Sequence, residues 1–305
     1  MTREDGEGSK WDSARELYFR LAASGLVSPR HYLPSMPDAG SLAARSGHLD
    51  IEIVSHCWKY HGLLAYQLSS LVNHPPKSVS VRMTVFHSRE DAPTVELLDF
   101  FSAIQLDGVT WNFQPLETPY LLRRAIGRNL AARATTADWI WFTDCDVIFH
   151  EDCLDTLAER LQGRRDPLVF PQKEHCTALL TGDDPMLTAA ADAPRVVDID
   201  VSRFTPRVCS EAKGPLQITH GDVARACGYC ECLDIYQKPA RHWRKAYEDR
   251  AFRWLLRTEG VGLDIGGVYR IRHAAKGRYA DSREALVRGS IRRVRSWMQE
   301  RWLGR

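Results

Sequence analysis

Strand-like and helix-like segments alternate along residues 50–161, and this alternation constrains the fold more than any other feature of the chain. Short runs suited to strands occupy residues 51–55, 79–86, 109–113 and 138–143. Segments with apolar residues at helical spacing separate them, at 62–72, 93–101 and 120–133. Parallel strands need crossover connections that are usually helices, so the pattern predicts an α/β fold with a mostly parallel sheet flanked by helices.

The composition is compatible with this fold and argues against a nucleic-acid partner. The chain has 305 residues, of which 44% are hydrophobic, enough to bury a full core. Lys and Arg number 41 against 39 Asp and Glu, for a formal charge of +2, so we expect no nucleic-acid partner. Residues 1–7 are polar and acidic, and no apolar run approaches about 18 residues. We therefore expect a cytoplasmic protein whose eight cysteines are reduced thiols.

The two ends of the chain differ from the alternating main domain, residues 49–275. Residues 1–48 contain one amphipathic helical stretch and a proline-containing loop, which predicts an N-terminal helical extension. Residues 276–305 predict a C-terminal basic amphipathic helix, because eleven Lys or Arg face three Asp or Glu between 270 and 305. Such a helix packs on the domain or, through residues 281–303, makes a peripheral contact with the inner face of a membrane.

Two acidic residues follow the most apolar of the predicted strands. Residues 138–143 are nearly all apolar, and Asp144-Cys145-Asp146 comes directly after them. In open α/β sheets ligands bind at the carboxyl ends of strands, so these acids are well placed for a ligand. Carboxylate oxygens can hold Mg²⁺ or Mn²⁺ while the ion bridges two phosphates. Alone the triplet is a weak signal, because paired acids at strand ends also cap helices or lie in surface loops.

The order of the blocks along residues 50–275 resembles that of family-2 glycosyltransferases. The blocks are residues 123–129, 137–146, 214–222, 228–231, 247–252 and His273. This resemblance implies a GT-A fold, which is Rossmann-like, for residues 49–275. It also implies transfer of a sugar from a nucleotide-sugar donor to an acceptor that is a glycan, a lipid-linked sugar or a small molecule. UDP is the commonest nucleotide in such donors. Mn²⁺ or Mg²⁺ is the implied cofactor.

The same resemblance implies roles for individual residues. Asp146 and His273 would bind the metal, with Asp144 contacting the metal or the donor. Asp249 would act as general base beside Glu248, deprotonating the acceptor hydroxyl for attack opposite the leaving phosphate, which inverts the anomeric configuration. The donor-binding residues are expected to be Ser55, His56, Arg123, Asp144, Cys145, His220 and Gly221.

Several alternatives stay open on the sequence alone. A retaining GT-A transferase would share the metal motif without needing the base, and a non-catalytic sugar-binding or assembly subunit could keep the scaffold. The acidic pair at 248–249 also suits an ordinary helix N-terminus. The run Cys227-x-x-Cys230-x-Cys232 lacks a second ligand pair, which makes zinc binding there the weaker interpretation. Residues 87–91 depart from the family's base-binding motif, so the nucleotide base is not fixed.

Overall fold

The computed structural model describes residues 4–188, 193–240 and 247–273, which form two sheets and their flanking helices. The strands are β1 (Leu49–Cys57), β2 (Val79–His87), β3 (Val109–Pro115), β4 (Trp139–Phe142), β5 (Val147–Phe149), β6 (Leu168–Pro171), β7 (Lys173–Thr177), β8 (Phe204–Val208), β9 (Gln217–His220), β10 (Val261–Leu263) and β11 (Val268–Arg270). The α-helices are α1 (Glu4–Leu21), α2 (His61–Asn73), α3 (Ala92–Ser102), α4 (Thr118–Leu121), α5 (Arg124–Ala134), α6 (Cys153–Leu161), α7 (Pro185–Thr188), α8 (Gly221–Cys227), α9 (Asp234–Gln237) and α10 (Glu248–Leu255).

The larger sheet has seven strands in the order β10-β6-β9-β4-β1-β2-β3. Neighbouring strands are parallel in four of its pairings, β1 with β2, β1 with β4, β2 with β3, and β6 with β10. The exception is β9, which runs antiparallel to both β4 and β6. The predicted α/β class with a mostly parallel sheet is confirmed, and the strand order reverses beside β4.

The centre of this sheet is fully buried. All four residues of β4 are buried, including Trp139 and Trp141, because the strand has layers of side chains on both faces. The helix predicted over 120–133 is instead two helices, since Arg123 has non-helical backbone angles between α4 and α5. The apolar residues of this segment are only partly buried: Ile126 is buried, whereas Leu130 is 49% exposed, and α5 also buries the small side chains of Ala125 and Ala132.

The smaller sheet has the order β5-β11-β7-β8 and begins directly after Asp146. In it, β5 runs antiparallel to β11, and β11 runs parallel to β7. Residues 173–213, whose elements the sequence pattern did not define, contribute β7, α7 and β8. The pairing of β5 with β11 brings the end of the described chain, residues 268–273, back to the strand-end acids.

The N-terminal helix α1 lies within residues 1–48, and several of its apolar side chains are exposed. Trp11 and Leu17 are 72% and 54% exposed, whereas Phe19 is buried. Among the described residues, no helix combines the length and apolar content that a membrane span requires. All eight cysteines are free thiols. The predicted C-terminal helix over 276–305, with its membrane contact through 281–303, lies outside the described residues.

Candidate active site

A pocket lies where the carboxyl ends of β1 and β4 meet. Phe142 pairs with Val54, so the last residues of β1 run beside the residues that follow β4. The polar side chains in the pocket lining include His56, Arg124, Asp144, Asp146 and His273. The strand–acid arrangement predicted from the sequence therefore forms one pocket at the edge of the sheet where ligands bind in open α/β folds.

The smaller sheet brings His273 to the strand-end acids. Val147 pairs with Arg270, and the N–H of Ile271 donates to the carbonyl of Asp146 at 3.0 Å. His273 follows two residues later and lines the same pocket, with its ring edge-on to Tyr60 at 5.4 Å between centroids. Two carboxylates and an imidazole suit Mn²⁺, and carboxylates also suit Mg²⁺. The residues present thus fit the implied divalent cation.

Arg124 connects the first strand-end acid to the start of α10. Its Nη1 donates to Asp144 Oδ1 at 2.6 Å, and its Nη2 lies 3.2 Å from Glu248 Oε1. Glu248 is only 2% exposed. Burial would lower the pKa of Arg124, but the carboxylates of Asp144 and Glu248 outweigh it and raise that pKa. The guanidinium therefore stays charged and balances the two acids.

A second arginine, Arg128, is fully buried beneath the pocket. Its Nη2 lies 3.4 Å from Asp144 Oδ1 and donates to the carbonyls of Thr143 and Gly214, at 3.3 and 3.2 Å. Its Nη1 donates to the Tyr229 hydroxyl at 2.8 Å. Buried charges are stable in proteins only when they are paired and hydrogen-bonded, as this one is. Arg128 therefore fixes the backbone around the acidic strand end.

The hydrogen-bond network continues from Tyr229 to the predicted base. The Tyr229 hydroxyl donates to Gln217 Oε1 at 2.8 Å, and Gln217 Nε2 donates to the carbonyl of Asp249 at 3.0 Å. Asp249 is partly exposed, and a Cβ placed on Gly214 would lie 3.4 Å from its Oδ2. Its carboxylate lies beside the pocket rather than among the lining residues, at the start of α10.

His56 lines the pocket from β1 with a neutral imidazole. It is 9% exposed and stacks on Phe86 at 5.2 Å, and neither ring nitrogen has a hydrogen-bond partner among the described residues. Burial lowers the pKa of His56 well below 6.5, and the charges of Arg128 and Arg124 lower it further. Gly127 of α5 makes room for the ring, because a Cβ there would lie 2.2 Å from His56 Nε2.

The other two predicted donor residues near the ends of these strands are also buried. Ser55 is fully buried, and its hydroxyl has no partner within the part of the chain that the structure describes. Cys145 lines the pocket between the two acids. A hydrogen bond with Cys57, together with burial, raises the pKa of the Cys145 thiol well above its ordinary value. Without a bound metal ion the thiol is therefore protonated.

Arg123, another predicted donor contact, is not among the residues that line this pocket. Its Nη1 donates to Glu16 Oε1 of α1 at 3.0 Å, and the side chain is 9% exposed. The break between α4 and α5 turns Arg123 towards α1 and leaves Arg124 facing the acids. The adjacent arginines at 123 and 124 gave no sequence signal for choosing between them.

His220 and Gly221 also lie away from the pocket, for a topological reason. Because β9 is antiparallel to β4, His220 pairs with Trp139 at the amino end of that strand. Asp144 is five residues further along, roughly 16 Å away at about 3.3 Å per residue. The His220 ring accepts from the N–H of Asp222 at 3.2 Å, and a Cβ on Gly221 would lie 2.2 Å from a backbone carbonyl. These residues form a turn at the other end of β4, so the structure does not bring them together with the predicted donor residues that line the pocket.

One protein-family profile matches a segment that contains part of this pocket. Residues 91–183, which include α5, β4 and both strand-end acids, match the profile of Glycosyl transferase family 2. This segment is less than a third of the chain. No curated protein sequence matches the chain. Over residues 91–183 the family match confirms the resemblance to family-2 glycosyltransferases.

Similar solved structures include forms of S. aureus TarS. TarS 1-349 is 14% identical with a TM-score of 0.44, over 79% of this chain and 65% of that one. Its complex with UDP-GlcNAc is 12% identical with a TM-score of 0.45, over 76% and 61%. Its complex with UDP is 13% identical with a TM-score of 0.45, over 73% and 60%. This chain spans less than two thirds of each of these structures.

Proposed function

We propose that this chain transfers a sugar from a nucleotide-sugar donor to an acceptor hydroxyl in a metal-dependent, inverting reaction. The observation that carries the proposal is the shared pocket of Asp144, Asp146 and His273 at the carboxyl end of β4. Both acids lie within the segment that matches the glycosyltransferase family. UDP is the nucleotide that the family resemblance implies for the donor. The proposed acceptor is a glycan, a lipid-linked sugar or a small molecule.

Asp146 and His273 would hold the divalent cation, and Asp144 would contact the cation or the donor ribose. When bound, Mn²⁺ or Mg²⁺ supplies positive charge that stabilises the departing diphosphate. Arg124 is a cationic side chain in the lining of this pocket, and a guanidinium pairs well with phosphate oxygens. We propose that Arg124 shares its hydrogen bonds between Asp144 and the donor phosphates, replacing the phosphate role predicted for Arg123.

Asp249 is the proposed general base. Its backbone is fixed by Gln217, and its carboxylate is partly exposed beside Gly214. Glu248, in contrast, is buried against Arg124, which supports a positioning role for it. Asp249 would take the acceptor proton while the acceptor oxygen bonds to the anomeric carbon from the opposite face to the diphosphate. The bond from that carbon to the phosphate oxygen breaks, and the diphosphate leaves with the electron pair.

His56 and Ser55 remain proposed contacts for the donor. A neutral imidazole offers one hydrogen-bond donor and one acceptor. His56 can therefore donate to an oxygen of a nucleotide or sugar, or accept from a hydroxyl or amino group. Its two ring nitrogens are buried at the pocket wall, and a bound ligand would give them partners. Ser55 lies one residue earlier on β1, where side chains alternate between faces, so we expect its effect on the donor to be smaller.

The proposal is tested by incubating the chain with UDP-sugars and GDP-sugars, with and without Mn²⁺, and measuring nucleotide release. We expect release from one donor class only, dependent on the cation and lost in Asp146→Asn. Arg123→Gln is the matched control and should keep the activity, because that side chain contacts α1. NMR of the product then gives its anomeric configuration. Retention would support the retaining alternative, and absence of both release and metal-dependent nucleotide binding would contradict the proposed function.

A further inference from the structure

A second group of metal-ligating side chains lies outside the active-site pocket. His74 follows α2, His150 follows β5, and Asp198 belongs to the segment 193–200. One ligand atom from each lies within 4.8 Å of the other two. We propose that these three residues bind one divalent cation of the Zn²⁺ class, which fastens the segment 193–200 to the ends of α2 and β5.

Each of the two imidazoles has a buried nitrogen without a hydrogen-bond partner. His150 is 8% exposed and His74 is half-buried; the buried nitrogens are His150 Nδ1 and His74 Nε2, and neither has a partner among the described residues. Glu151 Oε1 lies 3.8 Å from His150 Nδ1, which is too far for a hydrogen bond. The rings are 4.1 Å apart between centroids. Buried polar atoms are normally satisfied, and a shared cation would satisfy both nitrogens at once.

The backbone that carries the three ligands is held in place by side chains of α2. Asn73 Nδ2 donates to the carbonyl of Val197 at 3.0 Å, and Ser69 Oγ accepts from the Val197 N–H at 2.9 Å. Ser70 Oγ accepts from the N–H of Phe149 at 3.1 Å. Each contact lies next to a ligand in sequence, so the ligands are positioned before any cation binds. Such positioning lowers the entropy lost on coordination.

The donor set indicates a borderline cation rather than the hard cation of the active site. Two imidazoles with one carboxylate are typical of Zn²⁺ sites that keep one position for water. Asp198 is exposed, which leaves that side of the group open to solvent. Ligand atoms about 2.0–2.1 Å from a tetrahedral Zn²⁺ lie about 3.4 Å apart, so the side chains need to close by at most about 1.4 Å from their limit of 4.8 Å.

The test is a Co²⁺ titration of the untagged, chelator-treated chain, followed by visible absorption, with Zn²⁺ as competitor. It is run in the native chain and in Asp146→Asn, which removes a proposed active-site ligand. We expect tetrahedral Co²⁺ bands in both, displaced by Zn²⁺ and without a thiolate-to-cobalt charge-transfer band. His74→Gln and Asp198→Asn should weaken Co²⁺ binding at least about tenfold. His48→Gln, which changes an exposed imidazole on another surface, should leave the affinity unchanged.

The variants separate metal binding from misfolding. Asp198→Asn keeps an oxygen that can accept from the Ile199 N–H, a bond of 2.7 Å, so the local turn is preserved. Zn²⁺ should raise the Tm of the native chain and of His48→Gln, and leave the Tm of His74→Gln and Asp198→Asn unchanged. Co²⁺ binding of native strength in both ligand variants, a thiolate charge-transfer band, or no tetrahedral Co²⁺ in the native chain would each overturn the proposal.

Discussion

Arg124 donates to Asp144 at 2.6 Å, so the acid that follows β4 is paired with the first residue of α5 before any ligand arrives. The same guanidinium reaches Glu248 at the start of α10. One side chain thus sets the spacing between the strand-end acids and the helix that carries the proposed base. A divalent cation or a diphosphate would enter an electrostatic environment already balanced by this arginine.

Removing Arg124 should destabilise the fold through Glu248. Arg124→Met leaves the buried carboxylate of Glu248 without its cation, a change that costs about 3 kcal/mol or more of unfolding free energy. Adding Glu248→Gln should recover a large part of that loss, because the uncompensated charge is gone. Urea unfolding of both single variants and the double variant measures the coupling. Strictly additive losses would show that the two side chains act independently.

Changing Asp249 and changing Asp146 should affect different kinetic parameters. Asp249→Asn removes the proposed base and should lower kcat about 10²–10⁴-fold with little change in the KM for the donor. Asp146→Asn should instead weaken metal-dependent donor binding. Steady-state nucleotide release at several Mn²⁺ concentrations distinguishes these effects. A normal kcat for Asp249→Asn would eliminate it as the base and favour a retaining mechanism.

Two glycine variants should separate the pocket from the structural turn. Gly127→Ala places a Cβ 2.2 Å from His56 Nε2, so it should displace the imidazole and weaken donor binding. Gly221→Ala places a Cβ 2.2 Å from the carbonyl oxygen of Ala137 and should cost about 1–3 kcal/mol of stability. The donor Kd of its folded fraction should stay at the native value. A changed donor Kd in Gly221→Ala would support the predicted contacts of His220 and Gly221 with the donor.

The free energy of unfolding should decrease as the pH is lowered below about 6.5. Burial lowers the pKa values of four histidines, His56, His87, His150 and His220. The unfolded chain then binds more protons than the native protein in mildly acidic solution, so the unfolding free energy decreases as the pH drops through that range. Each proton contributes at most about 1.4 kcal/mol per pH unit.

His56→Gln should reduce this slope, since one titrating imidazole is removed from the native core. Ser55→Ala is the control on the same strand, and it should shift stability without changing the slope. Urea unfolding between about pH 7.5 and about pH 5.5 measures both. An unchanged slope in His56→Gln would mean that His56 binds a proton in the native state as readily as in the unfolded chain.

The alternation of segments was sufficient to predict β1 to β4 and the helices α2 and α3, but not the division of the segment 120–133 into α4 and α5. Two features depended on information that periodicity lacks. Residues 217–220 form a strand of only four residues with a single apolar side chain, Ile218, so its antiparallel direction beside β4 was not predictable. The break at Arg123 interrupts an otherwise helical pattern without proline or glycine at that position.

The candidate site was predictable in part for the same reasons. The resemblance put Asp144, Asp146 and His273 in one site, and all three line one pocket. Arg124 and Gln217 were missed, because their importance depends on the helix break and on the direction of β9. Gly127 did leave a signal, since a glycine inside a helix costs about 1 kcal/mol and often has a packing reason. The group of His74, His150 and Asp198 joins residues far apart in sequence, which no local motif reveals.

The measurement that tests the central claim most directly is isothermal titration of UDP into the native chain and Asp146→Asn, each with and without Mn²⁺. The pocket at the end of β4 predicts that Mn²⁺ strengthens UDP binding to the native chain and has no effect on the variant. GDP in place of UDP would identify a different base at the same site. A metal-dependent nucleotide-sugar site would be contradicted if both nucleotides bind with the same affinity with and without Mn²⁺ and in Asp146→Asn. It would also be contradicted if neither nucleotide binds.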